Sequence, residues 1–253
     1  MRLTVLGRSP ARPNPGEACA GYLLEAAGAR LLLDIGPGVV AQLLARVQPQ
    51  ELDAVVISHM HPDHMLDLVT LRYAYPWRRL PAAERLKVVV PPGSADQLVA
   101  LAKAAGGRRH LEDVFRLSEH DGRPMTFGGL ALVPLRTQHF VPCWGFRAEA
   151  ESRVLSYTAD TAPCDALADL ADDADLLISE ATLRSLDEDA TPPEPRGHLL
   201  PSEAGAAARD GSAKRLVLTH LPVEDGAAWA ASEASAAYGR DVEIAEPSRT
   251  YEV

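Results

Sequence analysis

His59-Met60-His61-Pro62-Asp63-His64 places four potential metal-ligand side chains within six residues. The run follows Ala54-Val55-Val56-Ile57-Ser58, an apolar stretch ending in a turn residue, which reads as a buried strand. The cluster therefore sits where a strand stops and a helix can begin, a place where loop side chains converge on one point. Imidazole nitrogen and carboxylate oxygen are donors that zinc accepts, and a catalytic zinc site keeps a position open for water. His59 and His61 could serve one ion while Asp63 and His64 serve another. Chance is a poor account of the run, because the whole 253-residue chain holds only eight histidines.

The other histidines extend this reading. His139 follows the apolar stretch Leu130-Ala131-Leu132-Val133, and His220 ends the strand-like Arg215-Leu216-Val217-Leu218-Thr219. Asp160 ends Val154-Leu155-Ser156-Tyr157-Thr158-Ala159, and His198 follows Gly197 just ahead of an alanine-rich helical segment. Polar ligands at the tips of separate strands are what a site on one edge of a sheet requires. His110 and His120 lie in polar, loop-like surroundings and read as solvated surface residues.

In its order of motifs the chain resembles the metallo-β-lactamase superfamily over almost its whole length. The resemblance rests on residues 59–64, on His139, Asp160 and His220, and on Leu31-Leu32-Leu33-Asp34-Ile35-Gly36. Within that superfamily it is most similar to the branch of ribonuclease Z and small phosphodiesterases. The signs are Tyr157-Thr158-Ala159-Asp160-Thr161, Asp175-Leu176-Leu177-Ile178-Ser179-Glu180-Ala181-Thr182, Gly197-His198-Leu199 and Leu218-Thr219-His220-Leu221.

The resemblance implies a centre of two divalent ions, zinc first, with manganese or iron(II) as alternatives that the same donors suit. One ion would be held by His59, His61 and His139, the other by Asp63, His64 and His220. Asp160 would bridge them together with a water or hydroxide. Two such ions lower the pKa of a shared water and stabilise the attacking and leaving oxygens of an in-line displacement. The same resemblance puts Asp63, His198 and Glu180 in the catalytic group. His198 would donate a proton to the leaving oxygen, or stabilise charge there, and Glu180 would orient it. Asp34 would orient metal-bound imidazoles, and Asp67, one turn beyond Asp63, could also reach the site. None of Cys19, Cys143 and Cys164 takes the bridging slot that a cysteine fills in the best-known zinc β-lactamases, which argues against β-lactam hydrolysis.

Composition narrows the function classes. No apolar run approaches the ~20 residues that span a bilayer, and Met1–Gly7 runs into a strand rather than a signal peptide. Three scattered cysteines make no disulfide framework, so a cytoplasmic enzyme with no membrane partner is expected. Lys and Arg number 25 against 35 Asp and Glu, a net charge of −10. A long nucleic acid meets a basic stripe on most of its binders, whereas here only the pairs Arg78-Arg79 and Arg108-Arg109 stand out. A small phosphodiester can still bind, because metals would dominate the local field.

The expected architecture is α/β, a four-layer αββα sandwich formed by residues 1–253 as one hydrolase domain. Strands are expected near 2–6, 21–25, 30–34, 54–58, 87–90, 125–134, 144–148, 154–158, 176–180 and 215–219. Closing strands are expected at 242–245 and 249–253, and helices near 38–46, 63–75, 94–105, 165–171, 201–211 and 226–238. Asp187–Pro195 reads as an acidic, proline-bearing loop ahead of His198, either a lid or a connector. Transfer-RNA-processing ribonucleases Z carry a long arm between the segments matching His139 and Asp160. Here that step is 160 − 139 = 21 residues, enough for two strands and a turn. The resemblance therefore implies a phosphodiesterase acting on small or cyclic nucleotide diesters. Rivals are a lactone, ester or thioester hydrolase on the same centre, a transfer-RNA 3′-processing endonuclease, and a metal-dependent binding module without turnover. Dimer formation is common in the family, so the resemblance also allows a homodimer.

Overall fold

The structure, a computed structural model, describes residues 1–104, 111–188, 196–223 and 226–253. Two seven-stranded sheets share one design. In the first, β1 (Arg2–Gly7), β2 (Gly21–Ala26) and β3 (Ala29–Leu33) form an antiparallel meander. The turn between β2 and β3 uses Ala27 and Gly28, both at positive φ, the conformation that matches the twist of a tight hairpin. From β3 onward, β4 (Ala54–Val56), β5 (Leu86–Val90) and β6 (Phe115–Glu119) run parallel. The last strand, β14 (Thr250–Glu252), returns to pair with β1.

The second sheet repeats this plan. Antiparallel β7 (Met125–Phe127), β8 (Leu130–Thr137), β9 (Cys143–Ala150) and β10 (Arg153–Tyr157) lead into parallel β11 (Leu176–Glu180), β12 (Leu216–Thr219) and β13 (Glu243–Ile244). Strands covered on both faces read as continuous apolar runs. Leu31, Leu33 and Val89 point between the sheets, while Leu32, Val88 and Val90 point outward under helices.

Helices α1 (Val39–Leu44), α2 (Pro62–Met65), α3 (Asp67–Leu71) and α4 (Ala95–Ala104) cover the outer face of the first sheet. Helices α5 (Ala166–Ala171), α6 (Pro201–Asp210) and α7 (Ala228–Tyr238) cover that of the second. The alanine-rich α6 and α7 pack closely: a Cβ at Gly205 would meet the Ala234 carbonyl oxygen at 2.3 Å. The result is the expected four-layer sandwich. No helix among the described residues is long and apolar enough to cross a membrane.

Four expectations are corrected. The helix expected over 63–75 is broken into α2, α3 and a 3-10 turn at Arg72–Ala74. Its ladder is interrupted because the Asp67 N–H donates to the Ile35 carbonyl (3.1 Å) and the His64 carbonyl accepts from Ile35 (2.7 Å). The single strand expected over 125–134 is the hairpin β7–β8, turning at Gly128 with φ +56°. Strand β6 was not expected, since Phe-Arg-Leu-Ser-Glu carries little apolar pattern; it pairs along β5 as an edge strand. His120 is buried rather than solvated. Its N–H donates to the Val90 carbonyl, and its ring meets Trp144 edge-on at 5.0 Å, so the polar neighbours Glu119 and Asp121 disguised a strand end. His110, Arg108-Arg109 and residues 189–195 of the acidic loop lie outside the described residues.

Candidate metal centre

The centre lies along one rim of the sandwich, where strands of both sheets end. Asp34 follows β3, residues 58–64 follow β4, His139 follows β8, Asp160 follows β10, Glu180 closes β11 and His220 follows β12. Three of these strand ends turn through the left-handed region at non-glycine residues, at Asp34 (φ 58°), Ala159 (φ 52°) and His220 (φ 56°). Such kinks cost on the order of 1–3 kcal/mol each and cluster where side chains must be aimed.

Two groups of donors result. His59, His61, His139 and Asp160 form one, and Asp63, His64, Asp160 and His220 the other, with the ligand atoms of each group within 4.8 Å of one another. In the first, His59 Nε2 stands 3.2 Å from His61 Nδ1, which stands 3.0 Å from His139 Nε2. In the second, His64 Nε2 is 3.3 Å from His220 Nε2, and His220 Nε2 is 3.1 Å from Asp63 Oδ2. A tetrahedral ion with bonds of ~2.0–2.1 Å sets its ligand atoms roughly 3.3–3.4 Å apart, so both groups have the dimensions of a filled shell. Asp160 belongs to both: Oδ2 lies 3.7 Å from His59 and His139, while Oδ1 lies 3.3 Å from His64.

The outward-facing nitrogens show what the inner ones present. His139 Nδ1 donates to the Gly197 carbonyl (2.8 Å), an acceptor only, which leaves a lone pair on Nε2 facing the group. His64 Nδ1 meets the Asp34 carboxylate at 2.8 Å. Asp34 is itself pinned by the Ser58 N–H (2.7 Å), the Ser58 hydroxyl (2.8 Å) and the Tyr157 hydroxyl (2.9 Å). His220 Nδ1 is held at 2.9 Å by the Thr182 hydroxyl, which donates to Glu180 Oε2 at 2.8 Å. Lone pairs converging at ~3 Å repel unless a cation lies between them, and the buried Asp160 Oδ1 has no hydrogen-bond partner. The donor set therefore fits two divalent ions.

The charges agree. Burial pushes the His59 imidazole well below its ordinary value and lowers His61 and His139 as well, favouring the neutral form that binds a metal. Burial would also lower His64, but the Asp160 and Asp34 carboxylates outweigh it and raise His64 well above the ordinary imidazole value. Burial opposes ionisation of Asp63 and Asp160. Hydrogen bonds from His220 and His64 override it at Asp63, and the His220 and His64 charges override it at Asp160, so both carboxyls lie well below their usual range.

His198 stands beside both groups. Its ring is 4.9 Å from that of His139 and is stacked 5.8 Å from that of His220. Its Nδ1 meets Glu180 Oε1 at 3.0 Å, and the Thr161 N–H holds the same oxygen at 2.8 Å. Asp67 turns away from the rim and accepts the Val40 N–H at 2.9 Å, tying down the start of α1. Ser58, Tyr157 and Thr182 carry supporting bonds that the sequence reading had not assigned. Each lies inside or beside a quoted motif, which was the only signal available.

Comparison with known proteins agrees with this picture. The family model described as "Beta-lactamase superfamily domain" matches residues 29–221. The chain is 31% identical over 255 residues to the Bacillus subtilis protein "Probable metallo-hydrolase YhfI", covering 100% of both. It is 31% identical over 265 residues to ribonuclease Z of Streptomyces coelicolor, covering 87% of this chain and 86% of that one. The crystal structure of the metallo-β-lactamase fold protein YhfI superposes with a TM-score of 0.85 at 29% identity, covering 100% of this chain and 99% of the other.

Proposed function

The chain belongs to the β-lactamase superfamily and is a metal-dependent hydrolase, and from that premise we propose that it cleaves small phosphodiesters, cyclic nucleotides foremost. Residues 1–253 act in this reading as one hydrolase domain, with β14 at the chain's end paired to β1. His59, His61 and His139 would hold one ion and Asp63, His64 and His220 the other, with Asp160, which belongs to both donor groups, serving the two. Zinc suits the nitrogen-rich donors and their near-tetrahedral spacing. When bound, two such ions lower the pKa of a water between them and stabilise the oxygens that attack and leave phosphorus.

The observation that carries the phosphodiester reading is the His198–Glu180 pair. An alkoxide leaves phosphorus poorly unless it is protonated, so a proton must be held beside the centre. Glu180 is buried and accepts from His198 Nδ1, which leaves Nε2 to carry that proton. His198 is the more exposed partner, 16% against 1% for the side chains, as a residue that meets substrate must be. Asp63 joins the catalytic group as the carboxylate of the second donor set, beside His64, His220 and Asp160. A long nucleic acid is disfavoured, because β9, a turn at Glu151-Ser152 and β10 fill most of the segment between His139 and Asp160 where an RNA-gripping arm would be inserted.

The test is turnover by the purified, zinc-loaded protein. Bis(p-nitrophenyl) phosphate and a cyclic nucleotide should both be hydrolysed, and activity should vanish on chelation and return with metal. Failure with every phosphodiester, alongside turnover of lactones or thioesters, would overturn the reading.

A further inference from the structure

The metal centre does not account for the basic pair at Arg78-Arg79, which leads to the opposite end of the first sheet. A cavity of about 480 Å³ opens there, and Arg78, Arg85, Lys87 and Arg116 line it together with the carboxylates of Asp53 and Glu84. Asp53 immediately precedes β4, Lys87 lies in the first half of β5 and Arg116 near the start of β6, whereas His59–His64 follow the far end of β4. The cavity and the metal centre therefore lie at opposite ends of the same parallel strands.

The charges there are out of keeping with the chain. Four cations face two carboxylates in a protein whose net charge is −10. Lys87 and Arg116 are direct neighbours in the parallel ladder, and like charges in that position cost stability. Burial, and after it the Arg116 charge, holds the Lys87 amine below its ordinary value. Its ammonium lies over the Phe127 ring at 4.7 Å, a contact that fixes it without neutralising it. Among the described residues no carboxylate pairs with Arg78, Lys87 or Arg116. Asp53 accepts the Arg30 N–H at 2.8 Å, and Arg85 is anchored through Nε to the Leu80 carbonyl at 2.9 Å.

We propose that this cavity binds a small phosphorylated anion, with the phosphate taken by Lys87, Arg116 and the Arg85 fork. Guanidinium groups match phosphate oxygens two at a time, and the volume falls within the ~300–1,000 Å³ typical of small-molecule sites. Pro49, Leu52 and Pro76 supply an apolar wall for an organic moiety beside the phosphate. An anion there removes the repulsion between neighbouring cations, so its binding should stabilise the fold. The inference is independent of the reaction at the other rim.

The test measures thermal stability of the zinc-loaded protein with inorganic phosphate, diphosphate or ADP, each against sodium chloride of equal ionic strength. The double variant Lys87→Met/Arg116→Gln separates the cavity from the metal centre, which also attracts phosphates. Wild type should gain several degrees in Tm and bind by calorimetry, while the double variant should bind at least tenfold more weakly and gain little. Without ligand at low salt, the double variant should melt no lower than wild type, since it loses the like-charge pair. An effect of phosphate alone identifies the free ion as ligand, and an effect confined to ADP identifies a phosphorylated metabolite. No shift in wild type beyond the salt control, or equal shifts in wild type and variant, would overturn the proposal.

Discussion

The two donor groups share Asp160 yet are supported differently. Every residue of the Asp63, His64, Asp160 and His220 group is buried, whereas His61 leaves its own group partly open to solvent. His64 leans on a carboxylate that three further donors fix, and His220 leans on a hydroxyl that Glu180 fixes. In the other group no imidazole meets a carboxylate directly through its outer nitrogen: His139 leans on the neutral Gly197 carbonyl, and His59 Nδ1 lies 3.0 Å from the Ser58 hydroxyl, which Asp34 fixes in turn. Outer partners of metal-bound histidines govern affinity by roughly 10–100-fold. The comparison therefore predicts that the buried group would hold its ion more tightly and the open group, with His61 partly exposed, would exchange its ion more readily.

The largest effect should come from the residue the groups share. Asp160→Ala leaves two like-charged ions without a common carboxylate, so hydrolysis should be abolished and metal content, measured by elemental analysis after dialysis, should fall. If one ion per chain survives, the comparison places it in the Asp63, His64 and His220 group. Full retention of both ions would show that Asp160 does not bridge.

His198→Ala comes next, and it tests whether His198 lies outside both groups. As a positioned acid its loss should slow turnover by ~10²–10⁴-fold while both ions stay. The loss should shrink for p-nitrophenyl esters, whose leaving group departs unprotonated. A competing arrangement exists, because Glu180, His198 and His220 themselves lie close enough to hold an ion. If His198→Ala loses metal, His198 is a ligand and the assignment of His220 is wrong.

The two groups were also unequally legible in the sequence. His59, His61, Asp63 and His64 come from one run, and a short contiguous motif reveals its ligands whatever the fold. His139, Asp160 and His220 are scattered over 82 residues (220 − 139 + 1), and only the order of motifs in a known family joined them to that run. Neither route could show the left-handed turns at Asp34, Ala159 and His220. None of the three is glycine, and although Asp and His enter that region more readily than most residues, they do so too rarely for the residue type alone to mark it. The strands were legible where both faces are covered, as in Leu31-Leu32-Leu33, and not in β6, where backbone pairing along an edge overrides a polar pattern. Helix 63–75 failed because Ile35, in a loop far earlier in the chain, takes two of its backbone hydrogen-bonding groups, the His64 carbonyl and the Asp67 N–H.

Asp34→Asn bears directly on the difference between the groups. Asparagine tolerates the left-handed backbone at this position, so the change isolates the lost acceptor. The amide nitrogen would face either the Ser58 N–H or the donors now on Oδ2, which come from Ser58, His64 and Tyr157. Metal affinity of the buried group, which Asp34 meets directly at His64, should drop by ~10–100-fold. The open group, reached only through Ser58 and His59, should weaken less. Titration with a competing chelator should then release the two ions in an order reversed from wild type, or together. An equal weakening of both ions would remove the distinction drawn between them.

The smallest effect should come from His120, a buried histidine in neither group, which serves as the control for their pH behaviour. Gly122 N–H donates to its Nδ1 at 3.3 Å, so the proton sits on Nε2, which has no hydrogen-bond partner among the described residues, while the ring as a whole meets Trp144 edge-on. Burial lowers its pKa, and the Asp121 and Glu119 charges only partly offset this. The folded state then binds fewer protons than the unfolded one. Stability from this residue is fully present above the unfolded value of ~6.5 and is lost as pH falls from there toward the depressed folded value. His120→Phe keeps the ring contact and removes the titration. Its Tm relative to wild type should therefore rise as pH falls from about 7.5 to about 5.5, by about 2–4 °C, the response of a domain this size to a modest change in stability. Metal content should not change. If the Tm difference is the same at both pH values, His120 does not titrate in this window.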